Sequence, residues 1–154
     1  MASSSERNAL PQAKQDVLQT WLRLARVYQK VQRGLDHILD DAGLTLPQFD
    51  VLANLGMSEG ITQQELAERL LVTKGNVCGL LDRMESADLV ERRPSPTDRR
   101  ANHLFLTDKG RASLKAAFPV HLGMIQECLG RLTGAEQSEL DELLGKIESA
   151  NCLG

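Results

Sequence analysis

Apolar residues fall at Val17, Trp21, Leu24, Tyr28, Val31, Leu35 and Ile38, separated alternately by four and three positions. That heptad spacing puts all seven on one stripe of a helix running from about Gln12 to Leu39. Such a helix is about 40 Å long, more than a small domain needs to cover its own core. Part of the stripe is therefore expected to meet another chain; a long core helix within one chain is the alternative. Thr45-Leu46-Pro47 then opens a shorter helix, with proline tolerated in the first turn, and Phe49, Leu52 and Leu55 form its buried face before Gly56 and Gly60 end it.

The most informative stretch follows. Thr62-Gln63-Gln64-Glu65 is a capping box, so a helix begins there and buries Leu66 and Leu70. It breaks over Leu71-Val72-Thr73, and a second helix over residues 73–87 places Val77, Leu80, Leu81 and Met84 on one face. Two short amphipathic helices across a tight turn make a helix-turn-helix pattern. The period then changes from 3.6 to 2. Leu89–Arg93 and Asn102–Leu106 read as strands flanking a tip, Pro94-Ser95-Pro96-Thr97-Asp98-Arg99-Arg100-Ala101, which makes a hairpin "wing". Thr107 or Asp108 caps another long helix carrying Leu114, Phe118, Leu122, Ile125, Leu129 and Leu132, with a kink expected at Pro119. A second capping box, Thr133 to Glu136, opens a last helix with Leu140, Leu143, Leu144 and Ile147. The predicted fold is mainly α with a small β-hairpin wing: a winged helix-turn-helix dimerised through its N- and C-terminal helices. Residues 1–154 read as a single domain, with 12–40 and 112–150 as dimerisation helices and 45–111 as the lobe that binds.

What the lobe binds is suggested by its outer surface. Opposite the apolar face of helix 73–87 lie Gly75, Cys78, Gly79, Asp82 and Ser86, with Asn76 and Arg83 at the edge. Each glycine costs about 1 kcal/mol in a helix interior, so two of them four apart are hard to explain by folding. Lacking Cβ atoms, they let the backbone approach a surface such as the floor of a DNA major groove. Thr73, Lys74 and Asn76 sit at the helix N-terminus, where donors and the dipole favour phosphate. The wing tip offers Arg99 and Arg100 to a minor groove, with Asp98 holding and aiming one guanidinium.

Charge reinforces the reading. The chain carries a net charge of −3, yet between Arg92 and Arg111 there are 6 basic and 2 acidic side chains. A basic patch inside an acidic protein is a footprint for a polyanion.

With these residues in place, LTLPQFDVLANL and TQQELAERLLVTKGNVCGLLDRMESADLVERRPSPTDRRANHLFLTDKGRA resemble the MarR (multiple antibiotic resistance regulator) family of bacterial transcriptional regulators. The resemblance spans about residues 12–150. Its most specific part is Asp98-x-Arg100 followed by Leu106-Thr107 and Gly110, preceded by Asp82-Arg83. It implies a homodimer on a pseudo-palindromic double-stranded DNA operator, with residues 73–87 as recognition helix and Arg100 as the wing arginine. It also implies release by a small, phenolic or anionic effector, and Trp21, Arg26, Tyr28 and His37 could line the pocket for it. Three positions depart from the family pattern: Cys78 where Ser or Thr is common, Gly75 where Ser or Pro is commoner, and Asp88 where Gly usually ends the recognition helix. The expected DNA contacts are Thr73, Lys74, Gly75, Asn76, Cys78, Gly79, Arg83, Arg99 and Arg100.

Composition narrows the rivals. Apolar residues make up 42% of the 154 and aromatics 3%, an ordinary globular balance whose core must be built from aliphatic side chains. No stretch approaches the roughly 20 apolar residues of a membrane span, and the first residues lack the apolar run of a secretory signal. Cys78, Cys128 and Cys152 are odd in number and far apart, which fits a reducing cytoplasm better than a disulfide framework. His37 and Asp41 make the only metal-like spacing and read as a solvated helix end; no cofactor is expected. No nucleophile-and-base order or glycine-rich phosphate loop stands out, so an enzyme is not expected. Two alternatives remain: a thiol switch through Cys78, and a winged-helix module that binds protein instead of DNA.

Overall fold

A computed structural model describes residues 11–95 and 102–150. Among them six helices and three strands run in the order α1 (Gln12–Asp41), α2 (Leu46–Met57), β1 (Ile61–Thr62), α3 (Gln63–Arg69), α4 (Lys74–Ser86), β2 (Val90–Pro94), β3 (Asn102–Leu106), α5 (Asp108–Leu129) and α6 (Gly134–Glu148). The strands form one antiparallel sheet in the order β1-β3-β2, with Val90 opposite Leu106 and Ile61 opposite Leu104.

Local chemistry sets most helix starts. Thr62 accepts from the Glu65 backbone N–H while the Glu65 carboxylate accepts from Thr62 N–H at 2.7 Å, and Thr133 and Glu136 repeat the arrangement. Each box satisfies backbone donors that a helix leaves free at its start. Thr45 and Gln48 make a third box at α2, and Thr107 caps α5 through Gly110 N–H at 3.0 Å. The last turn of α4 passes into β2 through Asp88, whose φ of 59° lies in the left-handed region. Asp replaces the usual glycine there at modest cost.

The sequence reading needs adjusting at three places. Gly56 lies inside α2, which ends at Met57 with Ser58 as its cap. β1 adds a third strand that two residues are too short to announce; Gly60, at φ 78°, turns the chain into it and donates to the Leu104 carbonyl at 2.8 Å. α5 contains Pro119, as expected, but stops at Leu129, short of Leu132.

The core lies between α2, α3, α4 and the sheet. Phe49, Leu52, Leu55, Leu66, Val77, Leu81, Met84 and Leu104 are essentially sealed from solvent, and Leu35, Leu39 and Ala117 tie the end of α1 and the middle of α5 to them. Of the thirty residues of α1 only Leu35 and Leu39 are buried, and α6 buries none. Val17, Trp21, Leu24 and Tyr28 on α1, Phe118 and Leu122 on α5, and Leu143 and Ile147 on α6 remain exposed.

Candidate nucleic-acid interface

α4 is held by its apolar face, so its other face is presented to solvent. Val77, Leu81 and Met84 are buried, whereas Thr73, Lys74, Gly75, Asn76, Cys78, Asp82, Arg83 and Ser86 are exposed and Gly79 is half-buried. A Cβ added at Gly75 would meet nothing within 4 Å, and one at Gly79 only the Arg83 Nη1 at 3.8 Å. Folding therefore does not demand either glycine. The Thr73 hydroxyl oxygen accepts from Asn76 N–H at 3.3 Å as the helix cap. Among the described residues Lys74 and Arg83 have no ion-pair partner, and both are exposed on this surface.

The basic segment after α4 proves different from its charge count. Arg92 sits on β2 with its side chain only 14% exposed, and its guanidinium reaches back to α4, donating to Asp82 Oδ1 at 2.7 Å and to Glu85 Oε2 at 2.5 Å. Burial favours the neutral guanidine, but hydrogen bonds to the two carboxylates and their charges reverse that and keep Arg92 firmly protonated. Arg93 pairs with Glu91 and lies 4.3 Å over the Phe105 ring. Arg111 pairs with Glu59, and Lys109 donates to the Ala87 carbonyl at 2.7 Å. The partners Asp82, Glu85, Glu91 and Glu59 all lie outside the counted window. Among the described residues of that window Arg92, Arg93 and Arg111 are thus each balanced by a carboxylate from outside it. Asp98, Arg99 and Arg100 lie outside the described residues.

Behind this surface, Glu59 joins two elements. Its Oε1 accepts from the Leu106 N–H of β3 at 2.9 Å, and its Oε2 accepts from Arg111 Nη2 of α5 at 3.0 Å. Desolvation would raise its carboxyl, but these hydrogen bonds and the charges of Arg111 and Arg93 outweigh it and hold the group below its ordinary range. Arg111 borders a cavity of about 580 Å³ between α2 and α5, walled by Ala53, Leu106, Leu114 and Phe118 and edged by Lys115. Sequence reasoning did not find it. The signal available was Arg111 and Lys115 at i, i+4 beside Leu114 and Phe118 at the same spacing.

The four residues suggested for a ligand pocket are not brought together. Trp21 and Arg26 are exposed on α1. Tyr28, whose hydroxyl accepts from Gln32 at 2.5 Å, borders a cavity of about 360 Å³ behind α4. His37 lines a separate one with Asp36 and Asp40. Nearer the core, His121 of α5 stacks on Phe49 with ring centroids 4.2 Å apart. Burial lowers its pKa against the pull of Asp50, whose own carboxyl burial raises. Among the described residues no group of three or more His, Cys, Asp or Glu side chains could hold a metal ion, and no helix is long and apolar enough to cross a membrane.

The sequence profile described as "MarR family" matches residues 42–101, from the turn before α2 to the end of the wing tip. The transcriptional regulator HosA of Escherichia coli O111:H- is 35% identical over 128 residues, covering 83% of this chain and 93% of HosA. The chain belongs to the MarR family. A mutant of MarR from E. coli, solved in complex with operator DNA, superposes with a TM-score of 0.79 at 32% identity, covering 86% of this chain and 95% of that one. The transcriptional repressor CouR bound to a 23-mer DNA duplex gives 0.74 at 32%, covering 92% and 99%. This MarR-family chain is accordingly a non-enzymatic, DNA-binding transcriptional regulator with a winged-helix fold.

Proposed function

We propose that this MarR-family protein is a homodimeric repressor that grips a pseudo-palindromic operator and lets go when a small organic anion binds. The observation that carries the DNA contact is the outward face of α4: two glycines with open space above them, flanked by the exposed cations Lys74 and Arg83. Thr73, Asn76 and Cys78 complete that surface, and Arg99 and Arg100, aimed by Asp98, supply the wing. Pairing with a second copy is supported by the uncovered apolar stripes of α1, α5 and α6. Two such lobes would meet half-sites about 34 Å apart, one turn of B-DNA. MarR and CouR were solved on DNA, and CouR is named a repressor.

For the effector, the cavity between α2 and α5 is the better-supported place than the Trp21, Arg26, Tyr28 and His37 set. Its walls are apolar, and Lys115, with no ion-pair partner among the described residues, stands at its edge beside Arg111. That combination suits an aromatic or aliphatic carboxylate. Ligand binding would favour a lobe separation that no longer fits the operator, a shift in population. A cytoplasmic location accords with this role.

The test is selection of duplexes from a random pool, followed by fluorescence anisotropy across a salt series. Arg100→Ala should weaken binding of the selected duplex by about 1–3 kcal/mol and lower the salt slope by about one. Failure to select any preferred duplex would leave a protein-binding module as the reading. The exposed thiol of Cys78 on the same face favours one secondary reading, an oxidation switch. Cys78→Ser binding that is lost on oxidation as in wild type would dispose of it.

A further inference from the structure

We propose that Arg92 is the positioning residue of the DNA interface: it locks the recognition helix to the wing strand so that both engage DNA as one rigid reader, and it does not touch phosphate itself. The guanidinium spans two turns of α4. Its Nη1 donates to Glu85 Oε2, while its Nη2 donates to Asp82 Oδ1 and, at 3.4 Å, to the Cys78 carbonyl. The backbone joins in, because Arg92 N–H donates to Glu85 Oε1 at 3.3 Å. β2 is an edge strand of the sheet, and this bond occupies a backbone donor that an edge would otherwise leave open. Four contacts from one residue of β2 therefore fix the pitch and rotation of α4 relative to the strand that leads into the wing tip.

The chemistry suits orientation more than simple adhesion. A planar guanidinium meets two carboxylates in fixed directions, which an ammonium cannot do. Among the described residues the Arg92 Nε is buried without a hydrogen-bond partner, which an arrangement selected only for stability would avoid. Asp82 belongs to the same outward face as Gly75 and Cys78 and is 63% exposed. A bare carboxylate there would repel a DNA backbone, so Arg92 also keeps the reading surface acceptable to a polyanion. Its own side chain, at 14% exposure and with both Nη atoms engaged, has little surface to offer a phosphate.

The inference rests on α4 being the helix that reads DNA. Its experiment compares the selected duplex with an unrelated one of equal length. Arg92→Lys keeps the positive charge but loses the fork. It should bind the unrelated duplex with wild-type affinity and salt slope, while affinity for the selected duplex falls about tenfold. Asp82→Asn, on an exposed side chain and therefore gentler on folding, should lower the same ratio; rescue of discrimination is not expected from restoring charge elsewhere. Circular dichroism melts confirm that each variant is folded at the assay temperature. Equal losses on both duplexes, or a salt slope lower by about one, would make Arg92 a phosphate contact and overturn the proposal. So would undiminished discrimination in Asp82→Asn, whatever Arg92→Lys does. A pool that yields no preferred duplex refutes the DNA reading itself, whereas a preferred duplex bound equally well by both variants refutes only the role of Arg92.

Discussion

Replacing Gly79 by alanine sets folding against function at a single atom. In the free protein the new methyl group would lie 3.8 Å from Arg83 Nη1 and near nothing else, an ordinary van der Waals contact. Gly79 sits well inside α4, where exchange for alanine is worth about 1 kcal/mol of helix propensity. In a chain of this size that should raise Tm by about 2–4 °C. Against a DNA groove the same methyl occupies the space that lets the backbone come close. Inserting a methyl into a packed contact costs about 1–3 kcal/mol, which corresponds to about 5- to 150-fold in affinity. Gly75→Ala, in the first turn, should show the loss of affinity with a smaller gain in Tm. The measurements are a calorimetric melt and fluorescence anisotropy with the selected duplex. A variant that melts higher and still binds DNA like wild type would refute the argument that the glycines exist for close approach. A lower melting temperature would refute the geometry, since it would mean the position is not open.

Three other substitutions probe different parts of the structure. At Gly110 a Cβ would fall 1.9 Å from the Leu89 carbonyl oxygen; as both are backbone, Gly110→Ala should cost about 3 kcal/mol or more and lower Tm in a thermal melt. Leu143→Glu changes a residue of α6 that is 49% exposed, so it should leave the core intact yet shift the mass measured by light scattering from dimer to monomer; an unchanged dimer would exclude this face from the interface. Glu59 has a folded pKa below its ordinary value of 4.5, so its contribution is complete above that range and disappears as pH falls through the lower folded value. The gap in Tm between wild type and Glu59→Gln should therefore be widest near neutrality and close on acidification, and a gap independent of pH would contradict the Arg111–Glu59–Leu106 linkage.

Where an element is decided by neighbours in sequence, the amino-acid order discloses it. Thr62 with Glu65 and Thr133 with Glu136 announce their helices because cap and partner are three residues apart. The stripe of Val77, Leu81 and Met84 identifies which side of α4 is free for the same reason. Contacts across the fold are not so visible. Glu59 and Arg111 are 52 residues apart, and nothing local foretells that they meet. That Arg92 is balanced by Asp82 and Glu85 is equally hidden, because these carboxylates approach it only once the chain turns at Asp88. Leu71 gives no hint in sequence of its φ of 53°; the tight turn between α3 and α4 imposes it. The candidate DNA face could be read from α4 alone, whereas the cavity beside α5 depends on how two distant helices pack.

α6, the last of the described helices, is well capped and has no buried residue of its own. A segment of about 15 residues is only marginally helical when isolated in water, so capping alone gives it little reserve. If α6 packs against a second copy, as proposed above, its persistence is governed by mass action: the more copies are present, the more completely the segment is formed. Dilution would melt this end of the molecule while leaving the lobe around Phe49 and Leu104 intact. Protein concentration would thus act as a structural variable for this end of the molecule.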